Sequence, residues 1–340
     1  MWRWTKRILI GVGGLVVVAA LTGAAYQWIA TRRDLARTPP PGRLVDIGGH
    51  RLHIWCSGSG APSVILEAGL GGSSADWGFV QPEVAGFTHV CSYDRAGMGY
   101  SDPGPSPRTT RRITYELVQL LDRTGITGPV VLVGASIGGL AVRVFASEHP
   151  QRTAGLVLVD ASHENQDTEV PRVAPFVPLL SSLGIFRILG VTFGPPPTSL
   201  APAVRGFAQA TGFRAAAYQT VVDEFTHLRQ SSEEVKATRR QLSIPVVVVT
   251  AGRGTDAAWL NLQRDQVRLS QHGCQIIAEQ SGHGVALGQP GVVIQAIREI
   301  VDAVKGRNAT TLCGQRQGNY EPVSNELQRT RPAQATEPRR

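Results

Sequence analysis

Residues 130–140 read Val-Val-Leu-Val-Gly-Ala-Ser-Ile-Gly-Gly-Leu, a β-branched run that stops at a serine set among glycines. Pro129 to Val133 is short, continuous and apolar, as a strand buried on both faces requires. From Gly138 onward, Leu140, Ala141, Val142, Val144, Phe145 and Ala146 predict a helix. So tight a turn between strand and helix forces Ser136 into a strained backbone conformation. Glycines at 134 and 138 relieve the crowding around it. The pattern is G-x-S-x-G, which presents a hydroxyl at the end of a strand. In a chain with 38 glycines the pattern is weak by itself, so partners for Ser136 must come from elsewhere in the sequence.

Working outward, residues 44–47 and 52–56 flank Gly48-Gly49 as a hairpin. Strands are predicted at 63–67 and 89–93, separated by the glycine-rich stretch 68–72 and a short helix at 76–87. Residues 113–124 form an amphipathic helix with Ile113, Leu117, Leu120 and Leu121 on one face. Beyond the serine come a strand at 155–159 and then a change of texture. Prolines at 171, 175, 178, 195, 196, 197 and 202 interrupt short apolar segments, and 207–229 reads as one longer helix. Strand and helix alternation resumes with 245–250, 257–270, 274–278 and 292–304. A hairpin followed by strand–helix units implies an α/β fold with an open, mostly parallel, eight-stranded sheet flanked by helices. Residues 161–242 are then a helical lid inserted after the sixth strand. Ligands of such sheets bind at the carboxyl ends of the strands.

The formal charge of +8 does not belong to the folded part. Residues 1–43 carry +6 and residues 305–340 carry +4, which leaves 44–304 at −2. A nucleic-acid-binding face on the core is not expected. Arg3, Lys6 and Arg7 precede an uncharged stretch from Ile8 to Ala30, and Arg32 and Arg33 close it. As a helix it would reach roughly 34 Å, enough to cross a hydrocarbon core of about 30 Å. Trp2, Trp4, Tyr26 and Trp28 lie near its two ends, where amphipathic rings favour the interface. The favoured reading of 1–43 is a membrane anchor and linker, with the domain at 44–304 outside the cytoplasm. The alternative is an export signal cleaved near Gly23–Ala25, which would leave a secreted protein. Residues 305–340 are rich in Arg, Gln, Thr and Pro without apolar periodicity and read as a disordered tail. The four cysteines, at 56, 91, 274 and 313, have no zinc spacing.

Four segments in order resemble the alpha/beta-hydrolase superfamily, and its capped serine-hydrolase branch in particular, over about 44–304. They are Leu66-Glu-Ala-Gly-Leu-Gly-Gly72, Tyr93-Asp-Arg-Ala-Gly-Met-Gly-Tyr-Ser-Asp102, Gly134-Ala-Ser-Ile-Gly-Gly139 and Ser281-Gly-His-Gly284. The resemblance implies Ser136 as nucleophile and His283, in a glycine-flanked loop after the last strand, as its base. Asp160, at the end of its strand, is the favoured acid to orient the imidazole. Asp256 is the alternative, set about two residues later than the family's spacing after its own strand. Backbone N–H groups of Leu70 and Ile137 would form the oxyanion hole. Where the family usually has His-Gly, this chain has Ala68-Gly69. Asp94 and Arg95 would brace the loops beneath the site, pairing with each other or with nearby backbone.

A serine at the elbow excludes the dehalogenase and epoxide-hydrolase chemistries that use a carboxylate there. The implied reaction is cleavage of a carboxylic ester, thioester, lactone or amide through an acyl-enzyme, with no cofactor and no metal. An acyltransferase using the same acyl-enzyme and a non-catalytic, membrane-tethered binding protein are the alternatives. Leu179, Leu180, Leu183, Ile185, Phe186, Ile188 and Leu189 make the lid's first part apolar, which suits a lipid-like or aromatic ester or simply packs the lid onto the sheet. Oligomeric state is left open. In this fold Cys56 and Cys91 lie on adjacent strands, so a disulfide forms if their register puts both side chains on one face. Cys274, on a distant strand, and Cys313, in the tail, are not expected to pair.

Overall fold

The computed structural model describes residues 2–192, 196–306 and 312–313. The chain opens with helix α1 (Trp2–Arg37), followed by β1 (Arg43–Asp46), β2 (Arg51–Ser57) and β3 (Ser63–Glu67). After them come α2 (Gln81–Ala85), β4 (Val90–Tyr93), α3 (Thr110–Thr124), β5 (Val130–Ala135), α4 (Gly138–Glu148) and β6 (Thr153–Val159). Five helices then precede the next strand: α5 (Val177–Ser182), α6 (Ile185–Leu189), α7 (Pro202–Thr211), α8 (Ala215–Thr226) and α9 (Leu228–Thr238). The domain closes with β7 (Val246–Ala251), α10 (Ala257–Val267), β8 (Gly273–Ala278), α11 (Val285–Gly288) and α12 (Pro290–Val304).

The eight strands form one sheet in the order β1-β2-β4-β3-β5-β6-β7-β8. β2 runs antiparallel to both β1 and β4, and every other pairing is parallel. Side chains alternate across a strand, so central strands with both faces covered must be apolar at every position. Val64, Leu66, Val131, Val133, Val157, Val159, Val247 and Val249 accordingly face one way, toward Val293, Ile297, Ile300 and Val301 of α12. Ile65, Leu132, Leu156, Leu158, Val246 and Val248 face the other way, toward Leu117, Leu120 and Leu121 of α3 and Phe145 of α4. α3 carries its apolar stripe at helical spacing and stops at Gly125, whose φ of +77° ends the helix in the left-handed region.

Several expectations need correction. Residues 207–229 are not one helix. Gly212 ends α7, Arg214 is extended at φ −67° and ψ 125°, and His227 separates α8 from α9. The break positions the Arg214 guanidinium to donate to the carbonyls of Gly99 and Ser101. The helix expected at 76–87 divides into a 3₁₀ turn, Ser74–Trp77, and short α2, with Pro82 in its first turn. Cys56 and Cys91 sit directly opposite each other on β2 and β4 and are bridged. His89 lies beside them, yet both sulfurs are engaged in the bridge rather than available to a metal. Contrary to expectation, Cys274 and Cys313 are bridged too. Leu312 and Cys313 return to pack on the α12 side of the sheet, a long-range approach that sequence distance does not reveal. The rest of the tail beyond residue 306 lies outside the described residues.

Candidate active site

The turn after β5 holds a strained backbone position. Ser136 has φ +49°, a conformation that L-residues rarely adopt, and α4 starts two residues later. The glycines around it are needed for space. A Cβ at Gly134 would meet Val142 at 2.5 Å, one at Gly138 would meet the Ala68 carbonyl oxygen at 2.5 Å, and one at Gly139 would meet Ala161 at 2.3 Å. The elbow therefore packs against the strand ends on both sides of it.

Parallel register carries Asp160 to the serine. Ala135 on β5 pairs with Val159 on β6, so the next residue of each strand, Ser136 and Asp160, leaves the sheet side by side. Asp160 is also at positive φ, +40°. The Ser136 N–H donates to the Val159 carbonyl at 3.1 Å, and the Asp160 N–H donates to the Val249 carbonyl at 2.6 Å. These bonds hold two strained residues in place. The sequence pointed to Asp160 as an acid but not to its strain, because no glycine flanks it.

His283, in the loop between β8 and α11, completes the group. Its Nδ1 is 2.6 Å from Asp160 Oδ2, and its Nε2 is 2.9 Å from Ser136 Oγ. Asp160 Oδ1 accepts from the Ala251 N–H at 3.0 Å and from Trp259 Nε1 at 2.9 Å, so the carboxylate is oriented from both sides. The Asp160 side chain is 3% exposed while that of His283 is 58% exposed. The imidazole is thus anchored at a buried end and open at its working end.

Asp256 is not brought to His283. It is the N-cap of α10, and its Oδ1 accepts from the Trp259 N–H at 2.7 Å. The alternative acid thereby sets the start of the helix that carries Trp259, whose indole holds the favoured one. Trp259 also meets His283 edge-on at 6.2 Å between ring centroids. Nothing in the sequence singled out Trp259. The other histidines with side-chain partners lie elsewhere: His50 pairs with Glu116, His53 with Asp94, His89 with Ser63, His163 with Asp265 and His227 with Asp223.

Opposite Ser136 runs the loop after β3. A Cβ at Gly69 would come within 3.1 Å of Ser136 Cβ, so glycine there allows the loop to close on Ser136. Among the described residues, no hydrogen bond takes up the N–H of Leu70 or of Ile137. Both remain available to an incoming oxygen.

Arg95 braces this loop through its backbone, the second of the two arrangements the sequence suggested, and adds two glutamate partners that it did not. Asp94 and Arg95 do not pair with each other. Asp94 accepts from the Ser74 N–H and hydroxyl and the Tyr100 N–H, and bonds His53. The buried Arg95 guanidinium donates to the carbonyls of Ala68 at 2.6 Å and Gly69 at 2.7 Å. It also pairs with Glu67 at 2.6 Å and with Glu224 of α8 at 2.9 Å. Charge-assisted bonds to two successive carbonyls hold the loop where the family's histidine is missing. Burial pushes the Glu67 carboxyl up to about 7, against the pull of Arg95.

Insertion helices cover this floor. Leu200, Val204 and Phe207 pack with Ala75, Tyr100 and Leu287, and Phe225 and Ile137 both pack against the cluster of Leu140, Val144, Leu228 and Val235. At the insertion's entry, Glu164 takes two bonds from Arg143 of α4 at 2.7 and 2.9 Å, and Arg239 at its exit joins both Glu164 and Asp265. Burial opposes the charge on Glu164, but Arg143 pulls its carboxyl down to about 2.

A sheet of this order, with a strained serine after β5 and the site at the strand ends, defines the alpha/beta-hydrolase fold. The corresponding family profile, for the alpha/beta hydrolase fold, matches residues 62–179. An AB hydrolase superfamily protein of Gibberella zeae is 23% identical over 282 residues, 72% of this chain and 87% of that one. An uncharacterized protein of Schizosaccharomyces pombe is 30% identical over 233 residues, 65% of this chain and 43% of that one. Among solved structures, a thermophilic esterase from Thermogutta terrifontis superposes with a TM-score of 0.57 at 22% identity, covering 75% of this chain and 94% of that one. The chain spans 43%, 20% and 50% of the lengths of the first three curated relatives it matches. The chain has the alpha/beta-hydrolase fold, and the family's profile matches its serine-bearing first half.

Proposed function

We propose that the protein is a serine hydrolase of the capped branch that cleaves a carboxylic ester, thioester, lactone or amide through an acyl-enzyme. The observation that carries this reading is the chain of hydrogen bonds from Asp160 through His283 to Ser136, at 2.6 and 2.9 Å. As Ser136 Oγ attacks the substrate carbonyl carbon, its proton passes to His283 Nε2, and the Nδ1–H donates to Asp160. The N–H groups of Leu70 and Ile137 take the charge that develops on the carbonyl oxygen. His283 then protonates the leaving group, which departs and leaves the acyl chain on Ser136. Water replaces it: His283 takes a proton from the water as it attacks, and collapse of the second intermediate returns that proton to Ser136 and releases the acid.

α1 is long and apolar enough to cross a membrane, a property an export signal shares. We read it as an uncleaved anchor, because its C-terminal half is packed on the insertion. Gln27 is buried there, and its Nε2 donates to the Phe213 carbonyl at 2.5 Å.

The full chain, in detergent micelles, is to be treated with a fluorophosphonate and assayed on nitrophenyl esters of increasing chain length. Labelling of Ser136 is expected, and Ser136→Ala should lower kcat by on the order of 10⁴ to 10⁶. An alanine variant that still hydrolyses at the parent rate would remove the assignment.

A further inference from the structure

The sheet hides its apolar side chains and the insertion does not. Outside α1, ten large hydrophobic side chains are exposed among the described residues, and seven of these lie between Val170 and Val191. Val173, Phe176, Leu179, Ile188 and Leu189 are between 59% and 67% exposed. Scattered single leucines on a surface are ordinary, whereas a cluster within one short segment marks a face that meets something apolar.

The position of α1 identifies what that face meets. Trp2 to Ala19 are exposed on every side, as a helix surrounded by lipid must be. Beyond them one stripe of the helix turns inward: Ala20, Gly23, Ala24, Gln27, Thr31 and Asp34, spaced by three or four residues. Small residues at its start let the backbones approach, and a Cβ at Gly23 would strike the Leu183 carbonyl oxygen at 2.5 Å. Polar residues follow. Arg187 of α6 donates to Gln27, Thr31 and Asp34. Tyr26 and Trp28 are exposed and mark the headgroup level, with Arg32 stacked on Trp28 at 4.0 Å. The contact between Leu183 and Gly23 therefore lies about one helical turn, roughly 5 Å, nearer the bilayer centre than that aromatic level.

We infer that the α5–α6 face of the insertion docks into the lipid leaflet that α1 enters, with Val173, Phe176, Leu179, Ile188 and Leu189 among the acyl chains and headgroups. This rests on the reading of α1 as a membrane anchor. The insertion is then a layer between two surfaces. α7 and α8 pack on the floor, through Phe207 against Tyr100 and Glu224 against Arg95, and α5 and α6 lie in the interface plane.

Site-directed spin labelling tests this directly, because Cys56, Cys91, Cys274 and Cys313 are all bridged and an introduced thiol is the one that reacts. The full chain is reconstituted in vesicles of phosphatidylcholine and phosphatidylglycerol. Nitroxides are placed singly through Phe176→Cys, Leu179→Cys and Leu189→Cys. Val16→Cys serves as a reference within α1 and Tyr115→Cys, 57% exposed on α3, as a reference in water. The insertion labels should collide with oxygen relative to a water-soluble nickel chelate several-fold more than the Tyr115 label does. If they match the Tyr115 label while Val16 stays oxygen-rich, the docking proposal fails and the anchor stands. If the Val16 label also behaves as in water, anchor and docking fall together. Labels shielded from both relaxing agents mean that protein covers the face, and that result overturns the proposal as well. Repeating the measurement in Ser136→Ala separates docking from catalysis, since the depths should not change.

Discussion

The sheet floor and the helical insertion use similar apolar residues for opposite purposes. On the floor, valines and leucines at successive positions of β3, β5, β6 and β7 are all buried, because helices cover both faces. The insertion buries Leu200, Val204, Phe207, Leu228 and Val235 and is tied down by ion pairs at Glu164 and Asp265 as well, yet it leaves Phe176, Leu179 and Leu189 at about 60% exposure or more. The floor can thus hold strained residues such as Ser136 and Asp160, since strain persists only where surrounding structure over-determines it. The exposed α5–α6 segment has no such reserve and is suited to meeting another phase.

Substitution at the two candidate acids gives the largest expected separation. Asp160→Asn should lower kcat by on the order of 10⁴, because the asparagine amide cannot hold the imidazole tautomer that a carboxylate does. Asp256→Asn should leave kcat within about tenfold, since asparagine also caps a helix and keeps Trp259 in place. Esterase kinetics on both variants would decide, and the reverse ranking would place the acid on the β7 side.

Stability should divide along the same line. Leu117, fully buried under the floor, should cost about 2 to 5 kcal/mol as Leu117→Ala. Leu189→Ala on the insertion should stay within about 0.5 kcal/mol in micelles. Denaturant midpoints measure both, and equal losses would mean that Leu189 is packed in solution.

The smallest effect is expected from pH. Burial raises the Glu67 carboxyl from 4.5 to about 7, so the folded protein holds a proton that the unfolded chain releases. That contribution, at most about 3 kcal/mol, is complete below the unfolded value and is lost as pH rises through about 7. Glu67→Gln should flatten stability over that window. A variant with the parent's slope would show that another group titrates there.

Much of the floor was legible because its signals are local. Short continuous apolar runs and glycine punctuation placed the eight strands within a residue or two of their positions, and Gly134, Gly138 and Gly139 pointed to the elbow at Ser136. Glycine-flanked His283 was equally readable. Errors fell where a single residue redirects the chain, as Gly212 does in dividing the helix expected over 207–229. They also fell where partners are far apart in sequence. Arg95 reaches Glu224, 129 residues on, and Cys274 meets Cys313 across 39 residues.

By itself, then, the sequence determined the succession of strands and helices along the chain, the serine at its strained turn and the length of the apolar N-terminal helix, because each depends on neighbours along the chain. Tertiary structure decided which aspartate reaches His283. Register between β5 and β6 sets Asp160 beside Ser136, whereas Asp256 is taken up by a helix cap. It likewise decided that α1 lies against the insertion, since the contact joins residues about 160 positions apart. Side-chain chemistry is written locally, but a hydrogen bond of 2.6 Å depends on strand register and packing that no local pattern encodes.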